Sequence, residues 1–151
     1  MPAQVNFEDT VTYRLARVTT AYRNALERHL SVAGLHGGQV FVLFELWKED
    51  GLRQVDIADR LNLSAPTITK ILKGLAEINL ITRSREQDDA RSTRIFLTDK
   101  GRNIRSEVAA QWLELESEYL KGLTDTERLI LPDLLGKLQA AYTGRPVSDE
   151  E

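Results

Sequence analysis

The side chains of this sequence that can do chemistry are hydroxyl, ammonium and guanidinium groups rather than metal ligands or nucleophiles. Its 151 residues include no cysteine and only two histidines. Disulfides, thiolate metal sites and thiol redox chemistry are thereby excluded, and a dedicated histidine metal site is disfavoured. No glycine-rich phosphate loop and no nucleophile elbow can be found in it. The carboxylates that cluster, Glu86, Asp88 and Asp89, sit in a charged run without the apolar neighbours that would raise a carboxyl pKa for acid–base work. Neither enzymatic chemistry nor a cofactor is expected. What stands out instead is one short face. Ala65, Pro66, Thr67, Thr69, Lys70 and Lys73 fall on one side of a helical projection that Ser64 opens, and Ile68, Ile71, Leu72 and Leu75 fall on the other. A short, polar, basic face of this kind fits the major groove of double-stranded DNA, where hydroxyl and ammonium groups meet base edges and phosphates.

Two helices joined by a tight turn must hold that face. In Gln54–Lys73, QVDIADRLNLSAPTITKILK, the first helix turns Val55, Ile57, Ala58 and Leu61 inward, and Ala58 is small enough for a partner helix to cross close by. Asn62 falls at the sharp turn, where Asn tolerates the left-handed backbone. Ser64 suits an N-cap, with Pro66 in the first turn, where a missing N–H costs little. This is the pattern of a helix-turn-helix.

The period changes after Leu75. Leu80–Arg83 and Thr93–Leu97 are short and strand-like, and the charged run between them, Ser84 to Ser92, makes a β-hairpin tip. A hairpin directly after a recognition helix is the wing of a winged helix. The acids of its tip read as a solvated loop. Arg91 is different, because a guanidinium at a wing tip can insert into a narrow minor groove, where the negative potential is strongest.

Upstream, Val11, Leu15, Val18, Tyr22, Ala25, Leu26, His29 and Leu30 recur at steps of three and four and predict a long amphipathic helix from Glu8 to about Leu30. Gly34, Gly37 and Gly38 interrupt it, and a mostly buried helix follows from about Gln39 to Lys48. Glu49-Asp50-Gly51 is a polar turn. Downstream, Thr98 is the expected N-cap of one long helix carrying Ile104, Val108, Trp112, Leu115 and Tyr119. Thr124-Asp125-Thr126-Glu127 is a capping box opening an apolar final helix in which Pro132 stands. The fold class is thus mainly α with a small β-hairpin wing. Residues 36–102 form the winged helix-turn-helix, 1–35 and 103–145 a helical dimerisation region, and 146–151 a flexible tail. The terminal helices carry more apolar stripe than a small winged helix can cover, which calls for pairing with a second copy in a two-fold homodimer.

The charge distribution agrees. Eleven Lys/Arg stand against seven Asp/Glu between Arg53 and Arg105, a surplus of four, whereas nine stand against sixteen elsewhere, a deficit of seven, giving the net charge of −3. A basic middle between acidic ends fits a central DNA-facing module. No apolar run is long enough to span a membrane, and the N-terminus lacks a signal-peptide layout, so a cytoplasmic protein is expected. The rival reading is a winged helix serving only protein interaction or dimerisation. Lys70, Lys73, Arg83, Arg85, Arg91 and Arg94, all expected on the DNA side, argue against it.

Gln39 ahead of an apolar helix, then QVDIADRLNLSAPTITKILKGLAEINLITR, then DDARSTRIFLTDKG, resembles the MarR family of bacterial transcription regulators over about His36 to Gly101. The most specific element is Asp89-x-Arg91 followed by an alternating strand and Leu97-Thr98-x-Lys100-Gly101. The resemblance implies an obligate dimer that binds palindromic operators, usually as a repressor. It implies that Arg91 reaches the minor groove and that Asp89 holds this arginine or a neighbouring basic residue. Lys70 and Ser64–Thr67 fall where the family makes recognition-helix contacts. On this reading Ser64, Thr67, Thr69 and Lys70 face base edges, while Arg53, Lys73 and Arg83 meet phosphates. Two positions depart from the pattern: Arg53 replaces the usual Thr or Ser cap, and Asn79 replaces a common Gly before the wing. Many members of the family release DNA when a small phenolic or carboxylate compound binds between the dimer helices and the winged domain. Here Arg17, His36, Trp47 and Trp112 are the candidates to line such a site.

Overall fold

The computed structural model describes residues 4–85 and 92–143. The wing tip, with Asp89 and Arg91, and the tail from 144 onward lie outside the described residues. The chain falls into two compact units, residues 1–115 and 116–151. A 3-10 turn, Phe7–Asp9, leads to α1 (Val11–Val32), α2 (Gln39–Lys48), β1 (Leu52–Arg53), α3 (Gln54–Leu61), α4 (Ala65–Glu77), β2 (Ile81–Arg85), β3 (Thr93–Leu97), α5 (Asp99–Asn103), α6 (Arg105–Leu120) and α7 (Asp125–Thr143). No described helix is long and apolar enough to cross a membrane.

Local chemistry accounts for most of the boundaries. Thr10 caps α1 by accepting from the Tyr13 N–H. Gly34, with φ +75°, follows its end. In the second unit, Thr124 and Glu127 form the expected capping box. The Glu127 carboxylate accepts from the Thr124 N–H at 2.7 Å, and Thr124 Oγ1 accepts from the Glu127 N–H at 3.3 Å. Pro132 lies inside α7. The expected single helix after Thr98 is divided into α5 and α6 at Ile104, yet helical bonding passes through it. Ile104 donates to the Lys100 carbonyl, and Val108 donates to the Ile104 carbonyl.

The hairpin is joined by a third strand, β1, which follows the expected polar turn Glu49-Asp50-Gly51 directly. β1 pairs antiparallel with β3 (Leu52 opposite Ile95, Arg53 opposite Arg94), and β2 pairs with its other side (Ile81 opposite Leu97, Arg85 opposite Thr93), giving the order β1-β3-β2. Two residues are too few to give a hydrophobic period, so β1 left no sequence signal. Its approach is organised by Asp50, whose Oδ1 accepts from the N–H groups of Gly51 and Leu97. The sheet is one-sided. Thr93, Ile95 and Leu97 of β3 are buried, whereas of β2 only Ile81 is.

The core of the first unit draws side chains from α1, α2, α3, α4, the three strands and α6 around Leu30, Leu43, Leu46, Ile57, Leu72 and Ile95, which are at most 1% exposed. Ala25, Leu26 and Leu30 bring the C-terminal half of α1 into that core, while Val11, Leu15 and Val18 of its first half remain exposed. In α7, Leu129, Ile130, Leu134, Leu135, Leu138 and Tyr142 are all exposed by 40% or more.

The Leu97-Thr98-x-Lys100-Gly101 segment ties the exit of the wing to the end of α4. The Thr98 N–H donates to the Leu80 carbonyl, its hydroxyl donates to the Asn79 carbonyl at 2.6 Å, and Lys100 Nζ donates to the Ile78 carbonyl at 3.0 Å. Thr98 Oγ1 also caps α5 by accepting from the Gly101 N–H. A Cβ placed on Gly101 would stand 2.1 Å from the Leu80 carbonyl oxygen, a backbone atom that cannot swing aside. Gly101→Ala should therefore cost about 1–3 kcal/mol of unfolding free energy or more, as for other forced overpacking. Urea unfolding of the two proteins measures it, and equal midpoints would contradict this account of the glycine.

Candidate nucleic-acid interface

The helix-turn-helix is built as its sequence pattern requires. Asn62 ends α3 in the left-handed region, φ 53° and ψ 47°, and the turn closes with Leu63 donating to the Ala58 carbonyl at 2.9 Å. Ser64 caps α4 by accepting from the Thr67 N–H, and Pro66 lies in the first turn. Asn79 adopts φ 60° before the wing, the conformation that a Gly would otherwise supply. Ile68, Leu72 and Leu75 hold α4 to the core. Gly74 lets α2 approach, since a Cβ there would meet Gln39 Nε2 at 2.8 Å.

That packing leaves Ala65, Pro66, Thr67, Thr69, Lys70 and Lys73 exposed together on the outer side of α4, and Ser64 at its start is exposed as well. Among the described residues Lys70, Lys73 and Arg83 are exposed cations with no hydrogen-bond or ion-pair partner. The hydroxyls are more committed than the sequence suggests. Ser64 Oγ and Thr67 Oγ1 are 2.8 Å apart, and Thr69 Oγ1 donates to the Ala65 carbonyl at 2.9 Å while accepting from Gln54 Nε2 at 3.1 Å. Gln54 thus joins the site from the first position of α3. The sequence reading passed over it, because its partner lies fifteen positions away.

Two arginines expected at the interface are engaged inside the protein. Arg53 grips Asp56 with both Nε (2.8 Å) and Nη2 (3.0 Å), and no side chain caps the backbone of α3. Arg94 is half-buried and donates to the Gly51 carbonyl at 2.9 Å, holding the turn before β1. Arg91 and Asp89 lie outside the described residues.

The four candidates for a small-molecule site do not come together. Trp47 and Trp112 do, in an aromatic group with Phe41 and Phe44 in which the Phe44 and Trp112 rings meet edge-on at 5.0 Å. Trp47 Nε1 donates to the Gly101 carbonyl. Beside them is an open cleft of about 520 Å³ between α2 and α6, lined by Phe44, Trp47, Lys48, Arg105, Val108, Ala109, Trp112 and Leu113. Its cations are Lys48 and Arg105. Arg17 instead lines a shallow surface with Glu8, Asp9, Tyr13, Arg14 and Val18. His36 is 80% exposed on its loop, 3.9 Å from the Glu27 carboxylate. Lys48 and Arg105 carried no period or motif that could have marked them, since only the packing of α6 against α2 brings them to one cleft.

Residues 36–93 match the sequence profile of the MarR family. The HTH-type transcriptional regulator TtmR of Methylorubrum extorquens (strain PA1) is 35% identical over 130 residues, which are 86% of this chain and 64% of TtmR. The chain therefore spans a little under two thirds of the length of that relative. The HTH-type transcriptional repressor MdtR of Bacillus subtilis (strain 168) is 34% identical over 111 residues, 73% of this chain and 72% of MdtR. Among solved structures, the S. aureus MepR–DNA complex is similar with a TM-score of 0.75 at 25% identity, covering 87% of this chain and 98% of that one.

The Arg53–Asp56 pair sets an acid dependence. The hydrogen bonds from Arg53 hold the Asp56 carboxyl below its ordinary pKa. A carboxyl depressed on folding contributes stability that is complete above its unfolded pKa and is lost as pH falls through the lower folded value. Asp56→Asn should leave a variant whose stability falls less between neutral and strongly acidic pH than that of the parent. Thermal unfolding across that range checks it, and parallel curves for the two proteins would contradict the pairing.

Proposed function

This chain belongs to the MarR family, and from that premise we propose that it is a cytoplasmic, homodimeric repressor that binds a palindromic operator and is released by a small ligand. The family consists of transcription regulators, not enzymes. The observation that carries the DNA-binding reading is the exposed outer side of α4, where Lys70 and Lys73 stand beside small side chains on a helix fixed from behind by the core. Lys70 would reach base edges with Ser64, Thr67 and Thr69, and Lys73 and Arg83 would meet phosphates. Arg91 would enter the minor groove, with Asp89 supporting the wing. Arg53 would meet a phosphate through the guanidinium donors that Asp56 does not occupy, and Arg94 acts from behind the surface by fixing the turn at Gly51.

A homodimer is supported by apolar side chains left uncovered on the first half of α1 and along α7. An exposed stripe of that extent is otherwise unfavourable in water. A two-fold pair would set two recognition helices against half-sites about one helical turn apart. The repressor sense follows MdtR, itself a transcriptional repressor. For the ligand, the α2–α6 cleft offers aromatic walls from Trp47 and Trp112 with the cations of Lys48 and Arg105, suited to an aromatic carboxylate. Arg17 and His36 are not part of that cleft. Such a ligand releases DNA only by binding the DNA-incompetent arrangement more tightly.

Binding to duplex DNA across a salt series, with oligomeric state followed by light scattering, is the test. A dimer whose affinity falls steeply with salt is the expected result, because each phosphate contact releases counterions. A salt-insensitive dimer, or a stable monomer, would refute it. Arg91→Ala should weaken binding by about 1–3 kcal/mol while leaving thermal unfolding unchanged.

A further inference from the structure

Thr69 lies on the exposed side of α4, and its hydroxyl is already committed. Its single hydrogen goes to the Ala65 carbonyl at 2.9 Å, and one lone pair receives Gln54 Nε2 at 3.1 Å. A threonine hydroxyl offers one donor and two acceptor sites, so Thr69 has no donor left for a base. A helical threonine divides between two rotamers, one of which is selected by bonding back to the preceding turn. Here that bond is made, and the amide of Gln54, reaching across from α3, secures it from the other side. Besides one remaining lone pair, the group of Thr69 left unbonded is its methyl. Beside it stand the Ala65 methyl and the Pro66 ring, both exposed and neither able to hydrogen-bond through its side chain. Ser64 and Thr67 spend part of their capacity on each other at 2.8 Å. The first two turns of α4 thus present more hydrocarbon than their residue names suggest, with the Lys70 ammonium next to it.

The major-groove group that matches such a surface is the C5 methyl of thymine. Resting on the reading that this side of α4 enters a major groove, we propose that Thr69 and Ala65 read thymine methyl groups, and that Gln54 is the positioning residue that fixes Thr69 in its methyl-presenting state. Sequence preference then arises from an apolar contact that Gln54 sets from the neighbouring helix. Lys70 supplies attraction to the guanine edges or phosphates alongside.

The full chain is first used to enrich duplexes from a random-sequence pool. The enriched duplex is then remade with deoxyuridine replacing one thymidine at a time, which removes a methyl and keeps every hydrogen-bonding edge. At discrete positions in each half-site the replacement should weaken binding by about fourfold, the worth of one buried methyl group. Thr69→Val, which keeps a methyl in place, should retain the preference at every such position, and Thr69→Ser should lose it at the positions that Thr69 reads while keeping it at those that Ala65 reads. Gln54→Ala should shrink the preference while the salt slope and thermal midpoint stay as in the parent, a separation that a merely structural role for Gln54 would not produce. Wild-type binding indifferent to every replacement overturns the proposal. So does a preference that survives in Thr69→Ser and is lost in Thr69→Val, which would assign the readout to the hydroxyl. A pool that enriches nothing refutes the DNA-binding reading itself, an outcome distinct from enrichment without dependence on thymine methyls.

Discussion

The contact between the Gly101 backbone and the Leu80 carbonyl is the constraint on which the winged helix depends. Leu80 ends the segment that leaves α4, and Gly101 opens the path toward α6, so one close approach fixes where the wing begins and where it returns. Thr98 and Lys100 close the same junction by bonding the carbonyls of Asn79 and Ile78. These carbonyls lie just past the last residue of α4, where no further helical turn follows to bond them. Trp47 adds α2 to the junction through the Gly101 carbonyl. Recognition helix, wing and central helix are therefore referred to one point, and α4 cannot shift along its axis without breaking several bonds at once.

Charge is sorted by the same packing. Arg53, Arg60, Arg94 and Arg102 are tied within the protein: Arg53 to Asp56, Arg60 to Glu45 and Glu49, Arg94 to the Gly51 carbonyl, and Arg102 to Asp99 and the Leu97 carbonyl. Lys70, Lys73 and Arg83 are exposed and have no such partner among the described residues. The basic surplus in the middle of the chain is thus only partly available to a polyanion. Counting residues overstates it, since a carboxylate beside a guanidinium offsets its charge.

The sequence made the helix-turn-helix legible because its signals are local. Asn62 at a left-handed turn, Ser64 as a cap and the spacing of Ile68, Leu72 and Leu75 are each set by neighbours within a few positions, and all were placed as found. The capping box at Thr124 was equally readable. What escaped depends on contacts between distant positions. β1 is two residues long and exists because Ile95 and Arg94 lie opposite it. The commitment of Thr69 to Gln54, the partners of Arg53 and Arg94, and the meeting of Lys48 with Arg105 at one cleft follow from packing that no periodicity encodes. The division between α5 and α6 is of the same kind, occurring beside the Gly101 junction within an otherwise helical run.

The order β1-β3-β2 leaves β2 as an outer strand, with one row of its backbone N–H and C=O groups facing no other strand among the described residues. Such a row is a template for adding another extended chain, and strands of this kind are commonly guarded by charged side chains. Thr82, Arg83, Ser84 and Arg85 leave this border hydrophilic and cationic along its exposed length. The arginines that give this strand its positive charge also make it repellent to a second copy of itself. Loss of those charges would carry a colloidal penalty, edge-to-edge association in a concentrated cell, that no assay of gene control would detect.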